Sequence, residues 1–452
     1  MSVAPEILRW LSDLVRERLS AALTLRFADA AGWELAAPGA SGRLEIAADA
    51  SAYRKLAVAL PPCAAHWDPR PEGWTAPLGL DLLAPGLAEL PRPLVVPQRD
   101  GLRLSFDCLW LALWALSRGE EAALPERDVH GRFPASASHA MRLGYLDRPL
   151  VDEWFGLLRQ LAQRTWPGLP LRPPGFRVAV SHDVDEPRFI GGFSFRTMLR
   201  RAGGDLFHRG RYRRGGEAPF RWLLCRAGMR AADPYDTFHW IMRAEERRSL
   251  RSTFHFLCGN TDARFDRGYH LSEPYLRARL TAIHSRGHVV GLHPSYGSYC
   301  DESAIHREVT ELRRHCADLR IPLPAIAGRM HFLRWATPET PRALASAGVS
   351  SDCTLAYAEQ VGFRCGTCVE YAAFDPVGLR PIDLRISPLI AMDGSVLPGR
   401  PYMNLPWPAA ESVLVKLKNR CRSVGGCFTL CWHNSELDTA AKRRLFLTVL
   451  DA

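Results

Sequence analysis

Acids, histidines and one arginine recur between residues 182 and 433: His182, Asp183 and Asp185, then His293, Arg329, His331, Asp352 and His433. Carboxylates and imidazoles are the ligand types of a catalytic divalent cation, and they also serve as general base and general acid. Asp183 and Asp185 stand two apart, so on an extended strand both face one side and can reach one cation and its water. Singly, each residue has an ordinary reading. A strand-end aspartate caps a helix or makes a turn, a buried histidine is hydrogen-bonded core, and an arginine is a surface ion pair. Chemistry follows only if the chain brings them to one place.

The surrounding elements predict that it does. Short β-rich runs at 176–181, 252–257, 288–292, 325–328, 349–351, 383–386 and 427–432 alternate with amphipathic stretches around Phe238–Met242, Ile305–Leu319 and Val413–Leu417. Successive βα units build parallel strands, whose burial on both faces makes continuous apolar runs, and a barrel is the natural closure. Working residues then lie at the carboxyl ends of strands. Each candidate follows a run in this way, whereas His288 begins one and is assigned to the opposite end.

Upstream lies a different pattern. Runs at 55–60 and 94–97 mix with helical patterns at 106–117 and 150–164, which predicts a small α/β domain over residues 1–165 whose chemistry the residues do not disclose. Residues 166–175 contain Pro167, Pro170, Pro173 and Pro174, which exclude continuous helix and suit a linker; the barrel follows over 176–452.

Hydrophobic residues at 47% and charged residues at 23% are the proportions of a folded globular chain, not a disordered one. The first residues form an amphipathic pattern through Ile7, Leu11, Leu14 and Val15, unlike a signal peptide, and the longest apolar run, 108–116, is short of the ~20 residues that cross a bilayer. With twelve scattered cysteines read as reduced thiols, the expectation is a cytoplasmic protein. Cys365 and Cys368 form one CxxC without a second half-site, which favours local packing over zinc or redox chemistry. The net charge of +10 comes from arginine, since Lys55, Lys416, Lys418 and Lys442 are the only lysines. Arginine is dense between Arg196 and Arg214, with Arg200, Arg201, His208, Arg209, Arg211 and Arg213 among several glycines. This segment is either a solvated loop or a docking site for an anionic membrane surface or a phosphate-bearing carrier; no nucleic-acid motif accompanies it.

From residue 176 to 452 the chain resembles the NodB-homology, polysaccharide-deacetylase family, carbohydrate esterase family four. The resemblance rests on SHDVD (181–185), GHVVGLHPS (287–295), RMHF (329–332), SSDCT (350–354) and LCWHN (430–434). It implies an α/β fold, a distorted parallel (β/α) barrel of the NodB type. It also implies Asp183 as base, Asp185 and His293 as metal ligands, Arg329 holding Asp183 ionised, and His433 as proton donor oriented by Asp352. The family's second metal histidine falls on Gly297, and His331 is the candidate replacement. Tyr296, Arg334 and Arg364 are placed near the mouth as substrate contacts. DPYDTF (233–238), STFHFL (252–257) and GFRCGT (362–367) are similar to one cytoplasmic branch found with surface-polysaccharide biosynthesis. The implied activity is removal of acetate from an acetamido sugar, nucleotide-, lipid- or glycan-linked, with a divalent metal, zinc first. Two rival readings stand beside it: a metal-free barrel that binds sugar or serves as a scaffold, suggested by Gly297, and a metal-free amidohydrolase on a cyclic ureide, with His182 and Asp185 as substrate contacts.

Overall fold

The computed structural model describes residues 3–28, 32–173, 175–208, 210, 212–229, 233–266 and 268–452. Pro174, Arg209 and Arg211 lie outside the described residues.

The chain opens with helix α1 (Pro5–Arg18), whose apolar stripe buries Ile7, Trp10, Leu11, Leu14 and Val15. Seven short strands follow: β1 (Thr24–Ala28), β2 (Gly32–Ala36), β3 (Arg43–Ile46), β4 (Ala64–Trp67), β5 (Leu82–Pro85), β6 (Val95–Gln98) and β7 (Gly101–Leu104). Five of them form a sheet in the order β1-β2-β3-β7-β6, and β4 pairs with β5. Helices α2 (Cys108–Leu116), α3 (Gly119–Ala123), α4 (His139–Arg142) and α5 (Leu150–Thr165) complete this part. Residues 55–60, expected as a strand, are irregular: Leu56 is buried, and Val58 gives its carbonyl to the Trp114 indole of α2 at 2.9 Å instead of to a ladder.

The remainder alternates as the sequence predicts. Its elements are β8 (Arg177–Val184), α6 (Phe195–Phe207), α7 (Tyr212–Arg226), α8 (Phe238–Glu246), β9 (Thr253–Leu257), α9 (Pro274–Ser285), β10 (Val289–His293), α10 (Glu302–Asp318), β11 (Ala327–Gly328), α11 (Glu339–Ser346) and β12 (Ser351–Asp352). Then come β13 (Tyr371–Asp375), β14 (Arg380–Ile386), β15 (Ala391–Met392), α12 (Asp393–Val396), α13 (Trp407–Ser423), β16 (Cys427–Cys431) and α14 (Ala440–Asp451). One nine-stranded sheet runs β13-β14-β12-β11-β10-β9-β8-β16-β15, parallel except for the β13–β14 hairpin.

The expected barrel does not close. Among the described residues the sheet ends at β13 and β15, with no pairing between them. Closure would need a strand beyond β14 to meet β15, but the chain places the antiparallel β13 there, and α1 covers that hairpin. The Trp10 indole donates to Ala372 O at 3.0 Å, and Arg385 of β14 pairs with Glu17 of α1 at 3.0 Å.

Apolar packing is continuous from the first helix to the nine-stranded sheet, with Trp10, Val151, Cys365, Cys368 and Tyr371 in one core. Buried polar groups join the same layers: Asp152 of α5 accepts from Thr367 Oγ1 at 2.6 Å and from Cys368 N at 2.8 Å. Both CxxC cysteines are therefore packing residues, and all twelve cysteines are unpaired thiols. The arginine-dense segment, one reading of which was a loop, is two packed helices, α6 and α7. A Cβ on Gly215 would come within 2.6 Å of Leu206 Cγ and 2.8 Å of Ala202 O, so glycine permits that contact despite costing about 1 kcal/mol against alanine within a helix. No helix of the described residues is long and apolar enough to cross a membrane.

Candidate active site

Side chains alternate along β8, and this sorts its polar residues. Ser181 and Asp183 point to one side of the sheet, His182 to the other. Asp183 accepts from Arg329 Nη1 at 2.8 Å, while Arg329 also donates to Ser181 Oγ at 2.8 Å and to Cys353 O at 3.1 Å. His255, opposite Asp183 in the β8–β9 register, brings Nδ1 to 3.2 Å from the same carboxylate oxygen. Burial alone would raise the Asp183 pKa. Arg329, then His293 and His255, reverse that and hold it well below the usual carboxylate range.

Two residues on, Asp185 faces three imidazoles. His293 Nε2 is 3.3 Å and His331 Nε2 3.7 Å from Asp185 Oδ1, and His433 Nε2 is 3.6 Å from Oδ2. The far nitrogens of two of these rings are occupied: His293 Nδ1 donates to Arg329 O, and His331 Nδ1 donates to Asp266 Oδ1 at 2.8 Å. That fixes which nitrogen points at Asp185. The Asp185 Oδ1 atom is buried and has no hydrogen-bond partner. Ligand atoms of Asp185, His293 and His331 lie within 4.8 Å of one another. Two imidazoles aimed by their outer bonds at a buried carboxylate oxygen that makes no hydrogen bond are a set of groups that could hold a metal ion.

His331 reaches this cluster through a tight turn. Phe332 and Leu333, directly after it, have φ of 61° and 55°, a left-handed conformation that costs about 1–2 kcal/mol per residue. Gly297 cannot supply the missing histidine: its N–H donates to Thr261 Oγ1 at 2.6 Å, and a Cβ would lie 3.0 Å from that oxygen. The same loop carries Asp266, which orients His331 instead.

His433 follows β16. Asp393, at the end of neighbouring β15, accepts from its Nδ1 at 2.7 Å and from its backbone N–H at 2.9 Å. Burial opposes the charge on His433, but Asp393 and Asp185 push its pKa up to about 10. Asp183, Asp185, His293, His331 and His433 floor a cavity of about 380 Å³, a volume typical of small-ligand sites. Its wall includes Arg132, Arg201, Arg214, Phe332, Arg400 and Tyr402. Arg132 comes from the first part of the chain, held by Asp128 at 2.7 Å and donating to Phe332 O at 2.9 Å.

Comparison with known proteins adds little to this geometry. Residues 72–167, which contain Arg132, match the model of a family of unknown function (DUF7033). No curated protein matches the chain. Among solved structures, a "putative polysaccharide deacetylase" from Mycobacterium smegmatis aligns at a TM-score of 0.40 and 14% identity, covering 62% of this chain and 84% of that one. Puue allantoinase aligns at a TM-score of 0.36 and 11% identity, covering 62% and 87%. Such distances carry no activity across.

Several expected positions need correction. Asp352 does not orient His433: both its oxygens accept from Thr354, at 2.8 Å, and burial pushes its pKa up to about 7. Arg364 is buried in the interior, paired with Glu121 at 2.8 Å, and is no substrate contact. Tyr296 stacks on Phe265 at 4.2 Å and hydrogen-bonds His130, while Arg334 lies over the rings of Tyr296 and Tyr299 and donates to His130 O. Neither is among the residues lining the cavity. They clasp the His130 loop that delivers Arg132. His182 sits across the sheet between Trp432 O at 2.6 Å and Glu245 Oε1 at 2.8 Å, which removes the substrate contact that the ureide reading required.

Of the residues the sequence reading missed, Asp393 obeys the strand-end rule already used, after the apolar run 389–392. Asp266, in a loop, and His255, inside a strand, carry no such mark.

Proposed function

We propose that the chain is a metal-dependent hydrolase that removes acetate from an acetamido sugar. The observation that carries the proposal is the aiming of His293 and His331 at the buried Oδ1 of Asp185, which makes no hydrogen bond, between an arginine-held Asp183 and an aspartate-held His433. The motif resemblance supports the same class of reaction.

Asp185, His293 and His331 would hold the cation, which when bound supplies positive charge that acidifies water and polarises a carbonyl oxygen. Asp183, kept ionised by Arg329, accepts a proton from the attacking water as its oxygen adds to the acetyl carbon. His433, held by Asp393, donates its Nε2 proton to the departing nitrogen as the C–N bond breaks. Asp393 keeps the proton on Nδ1 and aims the ring. Acetate and a free amine result. The Phe332 and Tyr402 rings offer apolar faces to a sugar, and the rim arginines suit a phosphate-bearing carrier such as a nucleotide or lipid.

Acetate release from acetamido sugars tests this. Asp183→Asn should lose activity by about 10²–10⁴-fold while keeping its metal. Unchanged turnover in Asp183→Asn, or no release from any acetamido sugar by the zinc-loaded wild type, would refute the proposal.

A further inference from the structure

The outer face of the α6–α7 pair is made of side chains that a water-facing helix avoids. Phe195, Leu199 and Phe207 of α6 are 54%, 47% and 83% exposed, and Tyr212, Phe220 and Leu223 of α7 are 71%, 66% and 60% exposed. At about 100° per residue, Tyr212, Gly216, Pro219, Phe220 and Leu223 share one face of α7, while Gly215 and Ala218 turn inward against α6. An apolar stripe that faces away from the protein marks an interaction surface.

Its charge identifies the partner. Between residues 195 and 230 the sequence has ten arginines against two acids, most of the chain's formal +10. Of the acids, Asp205 is buried against Arg214, and Glu217 is paired with Arg213 and Arg221. Arg196, Arg200, Arg213 and Arg226 are exposed on the same helices as the apolar residues. A protein partner would need a negatively charged apolar groove. An anionic bilayer offers both features in one layer: acyl chains for the rings and leucines, and headgroup phosphates for guanidinium groups that extend outward from them.

We infer that α6 and α7 form a docking surface for an anionic lipid bilayer. The same two helices give Arg201 and Arg214 to the cavity wall, so docking lies beside the cavity. The inference stands on this face alone and is independent of the reaction proposed above.

Vesicle co-sedimentation of the full chain tests it. The chain should pellet with vesicles of phosphatidylcholine mixed with phosphatidylglycerol, and not with phosphatidylcholine alone. Pelleting should weaken as salt rises. Phe220→Ser with Leu223→Ser should weaken it about tenfold or more, and so should Arg196→Glu with Arg226→Glu. All four positions are exposed, so circular dichroism should match the wild type, and basal turnover should be unchanged. Three results would overturn the inference: no pelleting with the mixed vesicles, pelleting that neither double variant reduces, or a wild-type dimer in sedimentation velocity that Phe220→Ser with Leu223→Ser dissolves. The last would assign the face to a second copy of this chain.

Discussion

Two groups of histidines and acids lie against the nine-stranded sheet, and they differ in what their polar atoms do. In one, Glu245 bonds His182 at 2.8 Å and Ser252 Oγ at 2.6 Å, while Ser252 N–H reaches His288 at 3.1 Å. These side chains are buried and fully engaged, and they close a layer. In the other, the outer bonds of His293, His331 and His433 leave each Nε2 aimed at Asp185, whose buried Oδ1 makes no hydrogen bond. Composition does not separate a structural cluster from a reactive one. Satisfaction does: the first group has completed its hydrogen bonds, and the second is arranged around something to be held.

The largest effect that bears on this contrast concerns the orientation of His433, the proposed proton donor. Asp393→Asn should lower kcat on the order of 10²-fold or more while leaving metal content unchanged, whereas Asp352→Asn should leave kcat near wild type. Steady-state kinetics on both variants checks the assignment, and equal losses would restore Asp352 to the role the sequence suggested.

Next in size is the structural cluster. Glu245→Ala leaves His182 and Ser252 without their buried acceptor and should cost about 3 kcal/mol in chemical denaturation. Its metal content should not change. A variant with wild-type stability and lost metal would mean that the two clusters have been assigned the wrong way round.

A smaller effect is expected at Asp266, which orients one of the proposed ligands. Asp266→Asn weakens the aim of His331 without removing a ligand, and zinc affinity should fall about 10–100-fold in a competition titration. An unchanged affinity would remove His331 from the set.

The floor of the site was legible because parallel strands bring their carboxyl ends together, so Asp183, His293, Arg329, His331 and His433 could be gathered from runs of apolar residues. Asp393 follows β15 and falls under the same rule, as Arg329 does after the equally short β11. The walls were not legible. Arg132 reaches the cavity through the clasp of His130 with Tyr296 and Arg334, a contact between loops distant in sequence that no periodicity records. Substrate contacts guessed from nearness in sequence failed for the same reason. The barrel failed to close because α1 and the β13–β14 hairpin occupy the edge where closure was expected, an arrangement set by tertiary packing.

Whether Asp185, His293 and His331 hold one cation, as proposed, can be read from metal analysis of the purified full chain. One zinc-type ion per chain is expected in the wild type and in Glu245→Ala, and loss of the ion in Asp185→Asn. An ion retained in Asp185→Asn, or no stoichiometric binding by the zinc-supplemented wild type, would contradict it.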